Sequence, residues 1–167
     1  MKIPTTAIKE LRERSGAGVM ECHNAILEVA GDMEKALELL KQRGCIKAQK
    51  KAERAAGEGV IEAYIHTGGK IGAMVEVNCE TDFVARTKEF KELAHQLAMQ
   101  ITAMSPQCVA EEELPKDTDV EPQLACLLLQ PYIRDPQKTI QDLITETIAK
   151  TGENIKVSRF ARFEVGG

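Results

Sequence analysis

The hydrophobic pattern of residues 74–90 divides this stretch into a strand followed by a helix. Apolar and polar residues alternate over residues 75–79, which is the period of a strand with one buried face. The alternation ends at Thr81 and Asp82, whose side chains can accept hydrogen bonds from the unpaired N–H groups at the start of a helix. Helical spacing then continues over residues 84–104, so we predict a strand-to-helix corner at Thr81 and Asp82.

An aromatic residue, Phe83, lies at this predicted corner beside Asp82. Periodicity alone favours a structural interpretation, in which Asp82 caps the helix and Phe83 is a hydrophobic staple buried in the core. The alternative is that Phe83 points outwards to a partner, with Asp82 beside it. The two interpretations differ in whether the Phe83 side chain is buried.

The first 54 residues carry three short runs with helical spacing of apolar residues. The residues predicted to cap, precede or end these helices are Thr5, Thr6, Gly16, Gly18, Gly31, Asp32 and Gly44. Residues 46–54, rich in Lys, Arg and Ala, predict a separate linker helix. Because the composition changes at residues 55–59, we predict two domains, 1–54 and 55–167.

The second domain is predicted to contain mainly strands and two longer helices. Strands are expected at 60–66 and 71–79, joined by a hairpin loop, and at 155–165. Helices are expected over 84–104 and just before Gly152, the latter with Asp135 and Thr139 as candidate caps. An exposed acidic connection is expected at 105–121 and a loop at 131–136. The predicted class is α+β: an N-terminal three-helix bundle, then a small three-stranded antiparallel sheet packed with helices on one face.

Composition and charge describe an ordinary globular protein, with 43% hydrophobic and 29% charged residues and a net charge of −4. No apolar run is long enough to span a bilayer, and the N-terminus lacks the apolar region of a signal peptide, so we expect a cytoplasmic protein. Residues 1–54 carry 11 Lys and Arg against 8 Asp and Glu, whereas the remainder carries 11 against 18. This distribution argues against general nucleic-acid binding and suits a protein that binds another protein.

Two other functions have candidate residues. Cys79, with a histidine and Glu80 or Asp82, is a candidate nucleophile of a thiol-dependent hydrolase, although burial on the strand face is favoured. The cations of residues 47–54 are a candidate RNA-binding patch, although a solvated helix is favoured. The five scattered cysteines and three histidines have no zinc-site or disulfide spacing, so we expect no metal and no cofactor.

Three motifs give the chain a specific resemblance. The run VEVNCETDFVAR, preceded by EGVIEAYIH and by LRERSGAGVMEC, resembles the elongation factor Ts family. The resemblance extends from about Pro4 to Phe163. It implies a nucleotide-exchange factor for the GTPase EF-Tu, with no chemical catalysis of its own, and an N-terminal bundle of the ubiquitin-associated type.

The resemblance also assigns roles to particular residues. Thr81, Asp82, Phe83 and Val84 would form a wedge, in which Phe83 inserts between side chains of EF-Tu and Asp82 helps to disturb the surroundings of its Mg²⁺ ion. The residues implied to contact the GTPase domain are Arg12, Val19 and Met20, beside the turn at residues 15–18. Where this chain has Ser15 and Val19, family members commonly carry Thr and Met.

The chain is also expected to self-associate. Longer members of the family contain a second, related core, whereas this chain has one TDFV motif and room for one core. A three-stranded sheet leaves edges and apolar surface exposed, which a second copy can cover. We therefore expect a homodimer through residues 55–167 that binds two EF-Tu molecules.

Overall fold

The structure is a computed structural model that describes residues 3–117 and 119–167 of the 167-residue chain. Its N-terminal part consists of helices α1 (Thr5–Ser15), α2 (Val19–Glu28) and α3 (Met33–Lys51). Apolar side chains on their facing sides form one core cluster. Its buried members are Leu11, Cys22, Ala25, Ile26, Ala36 and Leu40. The three predicted N-terminal helices are confirmed.

The predicted helix boundaries are partly correct. Gly16 ends α1 in a left-handed conformation (φ 68°), and the Asp32 carboxylate caps α3 by accepting from the Lys35 N–H at 3.1 Å. The predicted capping role of Thr5 and Thr6 is wrong, because Pro4 holds the N-cap position and both threonines lie inside α1. Pro4 has no side-chain acceptor, so α1 begins without a side-chain cap.

The prediction that Gly44 ends the third helix is wrong. Helix α3 continues through Gly44 to Lys51 and absorbs most of the predicted linker helix. Gly44 faces α7 (Ile140–Thr151), and a Cβ atom placed on it would lie 4.0 Å from Ala149 Cβ. Packing against α7 therefore retains the helix where local propensity favours a stop.

A three-stranded antiparallel sheet forms the centre of the remaining chain, as predicted. Its strands are β1 (Glu58–Ile65), β2 (Ile71–Cys79) and β5 (Ile155–Glu164), in the order β1-β2-β5. Helices α4 (Asp82–Ala85) and α5 (Lys88–Met104) follow β2. The sheet packs one face against α5, and α7 completes the core. The class is therefore a mixture of helices and a small antiparallel sheet.

Two predictions in this region need correction. The single helix predicted over residues 84–104 is two helices, because the Thr87 hydroxyl accepts from the Phe90 N–H and starts α5 afresh. The loop predicted at 131–136 contains a second small hairpin of β3 (Pro131–Tyr132) and β4 (Asp135–Thr139). Short helical segments occupy the preceding connection, namely α6 (Pro122–Ala125) and the 3₁₀ turns Glu111–Glu113 and Leu127–Leu129.

Helix α7 has the start and end that its sequence predicts. Thr139 and Asp142 form a reciprocal capping box, and Gly152 ends the helix in a left-handed conformation (φ 79°). Across residues 3–117 and 119–167, no helix has the length and apolar character needed to cross a membrane.

Because Gly44 lies inside a continuous helix and its missing Cβ would meet only ordinary contacts, we expect Gly44→Ala to stabilise the protein. The expected gain in the free energy of unfolding is about 0.5–1 kcal/mol, measured by denaturant titration. Gly59→Ala is the contrasting variant, since a Cβ there would lie 2.1 Å from the Val77 carbonyl oxygen. A loss of stability in Gly44→Ala would contradict the continuous helix.

Candidate protein-binding site

The corner between β2 and α4 is built from local hydrogen bonds. Thr81 is the N-cap of α4, and its hydroxyl accepts from the Val84 N–H at 3.4 Å. The buried Cys79 thiol donates to the Thr81 carbonyl oxygen at 3.2 Å. The predicted strand-to-helix corner is therefore confirmed, with Thr81 rather than Asp82 as the cap.

Phe83 points into solvent from this corner. Its exposed fraction is 77%, whereas the neighbouring Val84 is 5% exposed and packs in the core with Ala85. The interpretation of Phe83 as a buried staple is wrong, because α4 uses Val84 and Ala85 to face the core. An exposed phenylalanine on a helix that is anchored in the core makes this corner a candidate protein-binding surface.

Asp82 also lies on the exposed side of α4. Its carboxylate accepts from Arg86 at 2.7 Å, one helical turn away, and both side chains are largely exposed. A solvent-exposed pair of this kind adds little to stability. The Asp82 carboxylate is therefore free to exchange Arg86 for another partner.

A carboxylate from a distant part of the chain holds the corner. Glu153, in the turn after α7, accepts from the backbone N–H groups of Glu80 at 3.1 Å and Thr81 at 3.0 Å. Its second oxygen accepts from the Thr81 hydroxyl at 2.6 Å. The end of β2 is thus bound to a turn about seventy residues away along the chain.

The same turn binds the segment that follows α3. The Asn154 side chain, almost fully buried, donates to the carbonyl oxygens of Ala52 at 3.3 Å and Arg54 at 2.8 Å. The Asn154 N–H donates to the Glu80 carboxylate at 2.7 Å. Neither Glu153 nor Asn154 is predicted from the sequence to belong to the site. Their only local signal is a polar pair directly after the helix-ending Gly152.

One residue predicted to contact the GTPase domain shares a groove with the corner. Arg12 on α1, Phe83 and Val84 line a groove of about 590 Å³ that also includes Lys150 of α7. Val19 and Met20 are in the first turn of α2 and are both exposed, but they do not line this groove. The structure therefore brings Arg12 and Phe83 to one groove.

The cations of residues 47–54 are largely engaged within the protein. Lys47 pairs with Glu21, Lys51 donates to the Gly152 carbonyl oxygen at 2.7 Å, and Arg54 lies 3.6 Å from the Glu80 carboxylate. These contacts join α3 to α2 and to the corner. Their arrangement supports a structural role for this segment.

Cys79 has the environment of a core residue rather than of a nucleophile. Burial raises the pKa of its thiol above the ordinary value, and the nearby Glu153 carboxylate raises it further. A nucleophilic cysteine requires the opposite shift, because the thiolate is the reactive form. Within the described parts of the chain, no three His, Cys, Asp or Glu side chains are grouped to hold a metal ion.

A small fold of helices and an antiparallel sheet, with an outward-facing aromatic on a corner that Glu153 holds, is that of a protein-binding module. Residues 45–125 match the family model described as Elongation factor TS. The chain is 48% identical to elongation factor Ts of Caldanaerobacter subterraneus over 194 aligned positions, which cover 98% of this chain and 97% of the relative. It is 48% identical to elongation factor Ts of Thermotoga neapolitana, covering 99% and 98%. The chain belongs to the elongation factor Ts family.

The alignments extend over more positions than the 167 residues of this chain. These relatives therefore carry residues that this chain lacks. The aligned region nevertheless spans nearly the whole length of each protein.

The cysteine environments predict a sharp difference in thiol reactivity. Cys45 is exposed on α3, whereas Cys79 is buried with a raised pKa. We expect a thiol-specific aromatic disulfide reagent at pH 7.5 to modify Cys45 rapidly and Cys79 only on the timescale of unfolding. Peptide mass mapping at early times measures this, with Cys45→Ser as the control. Rapid modification of Cys79 in the folded protein would contradict the structure.

Proposed function

We propose that this chain is a guanine-nucleotide exchange factor for the translation GTPase EF-Tu and acts during polypeptide elongation. Membership of the elongation factor Ts family supports the role. The observation that carries the proposal is the outward-facing Phe83 on a corner that is anchored in the core and held by Glu153.

An exchange factor of this kind catalyses no covalent change. It binds the nucleotide-free GTPase more tightly than the nucleotide-bound one, and by linkage it must then weaken nucleotide binding to the same degree. GDP is held by such a GTPase largely through phosphate and Mg²⁺ contacts. A rigid projection that displaces the elements around this metal therefore promotes GDP release.

The residues of the corner divide this task between them. Phe83 is the projecting wedge, and the Asp82 carboxylate, once released from Arg86, disturbs the surroundings of the Mg²⁺ ion of EF-Tu. Thr81 and Val84 support the wedge: Thr81 caps α4, and Val84 anchors this helix in the core. Arg12, Val19 and Met20 form the second contact, with the GTPase domain.

Truncating the wedge should slow exchange without destabilising this protein. We expect Phe83→Ala to slow GDP release from EF-Tu roughly 30-fold, the effect of losing about 2 kcal/mol from a buried aromatic contact in the complex. The melting temperature should hardly change, because Phe83 is 77% exposed. Stopped-flow release of a fluorescent GDP and a thermal melt measure the two effects.

Phe90→Ala is the matched control for this experiment. Phe90 is fully buried, so its truncation should cost about 3–5 kcal/mol of stability. A Phe83→Ala variant that releases GDP at the full rate, or that melts as early as Phe90→Ala, would overturn the wedge.

We also propose that residues 1–54 form a separate unit of the ubiquitin-associated type, followed by a core domain of residues 55–167. The separate core cluster of α1, α2 and the first half of α3 supports this division. The unit is not isolated, because Ala48 packs in the core formed by the sheet, α5 and α7. In addition, Asn154 binds the carbonyl groups of Ala52 and Arg54.

A core substitution in the helical unit tests the division. Leu11 is fully buried among α1–α3, so Leu11→Ala should destabilise that unit by about 2–5 kcal/mol. We expect hydrogen exchange to accelerate in α1 and α2 while the amides of β2 keep their protection. Equal acceleration in α1 and β2 would show one cooperative domain instead.

We propose further that the chain is a homodimer through residues 55–167. Val60 and Tyr64 pack on the inner core, so alternation places Ile61 and Ile65 on the outer face of the sheet. Both are exposed, as are Met74 of β2 and the 73%-exposed Phe163 of β5 on the same face. This face also carries the ion pair of Glu76 with Arg159, and its exposed apolar part fits a second copy of itself across a two-fold axis.

A charge on this face should separate the protomers. We expect light scattering at micromolar concentration to give twice the 18.4 kDa chain mass, and Ile61→Glu to reduce it to the single chain. Leu124→Glu is the control, since Leu124 is exposed on α6 away from the sheet. A mass of one chain at all concentrations in the unaltered protein would rule out the dimer.

The proposed site of action is the cytoplasm, where EF-Tu works, without direct nucleic-acid binding or a membrane. The internal contacts of Lys47, Lys51 and Arg54 support the assignment of residues 47–54 to structure. The buried Cys79 with its raised pKa disfavours a thiol-dependent hydrolase.

A further inference from the structure

The Glu153 carboxylate makes more hydrogen bonds than its own turn requires. It accepts three hydrogen bonds from the corner, two from consecutive backbone N–H groups and one from the Thr81 hydroxyl. Both of its oxygens are used, one for the two N–H groups and one for the hydroxyl. The corner backbone is therefore fixed both in position and in orientation.

The residues that Glu153 binds, Glu80 and Thr81, directly precede the helix that carries Phe83. Thr81 precedes Phe83 by two residues and is the cap of α4, so a movement of Thr81 tilts the helix that carries Phe83. Within the corner itself, the cap is a single bond from the Val84 N–H at 3.4 Å. That bond is longer than the usual range, so the side-chain cap is weak and the bonds from Glu153 supplement the core packing of Val84 and Ala85.

We propose that Glu153 is a positioning residue for exchange: its carboxylate holds the Thr81 corner so that Phe83 is presented in the orientation that EF-Tu requires. This inference rests on the proposed wedge role of Phe83. Glu153 itself touches no partner in this role. Its effect is to restrict the motion of the corner before the partner binds, which lowers the entropic cost of forming the nucleotide-free complex.

The turn carrying Glu153 is itself tied to the N-terminal part of the protein. The Gly152 carbonyl oxygen accepts from Lys51, and Asn154 donates to the Ala52 and Arg54 carbonyl groups. The end of α3 therefore supports the turn, and the turn supports the corner. Through these contacts the wedge and the helical bundle that bears Arg12 keep a fixed relation.

Glu153→Gln tests the proposal, because glutamine keeps the size of the side chain but replaces one acceptor oxygen with a donor. We expect the maximal rate of GDP release at saturating exchange factor to fall about tenfold, the scale of losing hydrogen bonds to a charged acceptor. The factor concentration at half-maximal rate should change less than twofold. The amides of Glu80 and Thr81 should also exchange with solvent at least about tenfold faster, as measured by NMR.

Glu146→Gln is the matched control, on helix α7, which directly precedes the Glu153 turn. Glu146 is partly buried and pairs with Lys138 at 2.8 Å, but it makes no bond to the corner. We expect it to leave the release rate and the Thr81 amide unchanged. Equal slowing by Glu146→Gln would show a general loss of structure and would overturn the positioning role.

A double-variant cycle separates this inference from the function on which it rests. If Glu153 acts through Phe83, Phe83→Ala with Glu153→Gln should be no slower than Phe83→Ala alone. Effects that multiply, or a Glu153→Gln protein with the normal rate, would overturn the inference while leaving the wedge intact. A normal rate in Phe83→Ala would overturn the wedge and this inference with it, and a faster-exchanging Thr81 amide would then mark Glu153 as structural only.

Discussion

The alternation of strand β2 is the constraint from which the candidate site follows. β2 is the central strand, bonded to β1 and β5, and its buried side chains Val75, Val77 and Cys79 face α5. With both neighbours fixed, the strand cannot shift by one residue without moving its apolar set into solvent. Cys79 must therefore end the strand facing inwards, and the chain must turn immediately afterwards.

The turn after β2 restricts where the side chains of the next residues can lie. Thr81 caps, and the short helix α4 then directs Val84 and Ala85 towards the core. On so short a helix, the residue before that pair has no room on the buried side. Phe83 is consequently exposed because its neighbours are buried, so the projecting aromatic depends on the packing beneath it.

Much of this architecture can be predicted from the sequence, because the residues that determine it lie close together along the chain. The bounds of β2, the left-handed Gly16 and Gly152, and the Thr139 cap all depend on residues within one turn. The prediction for Gly44 is wrong because its position depends on contact with Ala149 on α7, far along the chain. Glu153 is unpredictable from local sequence for the same reason, since its partners precede it by more than seventy residues and no spacing rule joins them.

The composition explains why the exposed aromatic side chains are important for binding. The chain has no Trp and only four Phe, and its core is mainly aliphatic, with Phe90 the one fully buried phenylalanine. Phe83 and Phe163, in contrast, are both more than 70% exposed, on the corner and on the outer sheet face. Burying a phenylalanine is worth about 1.5–3 kcal/mol. That free energy is left unused in the single chain and becomes available when a partner covers each surface, which we propose to be EF-Tu at Phe83 and a second copy at Phe163.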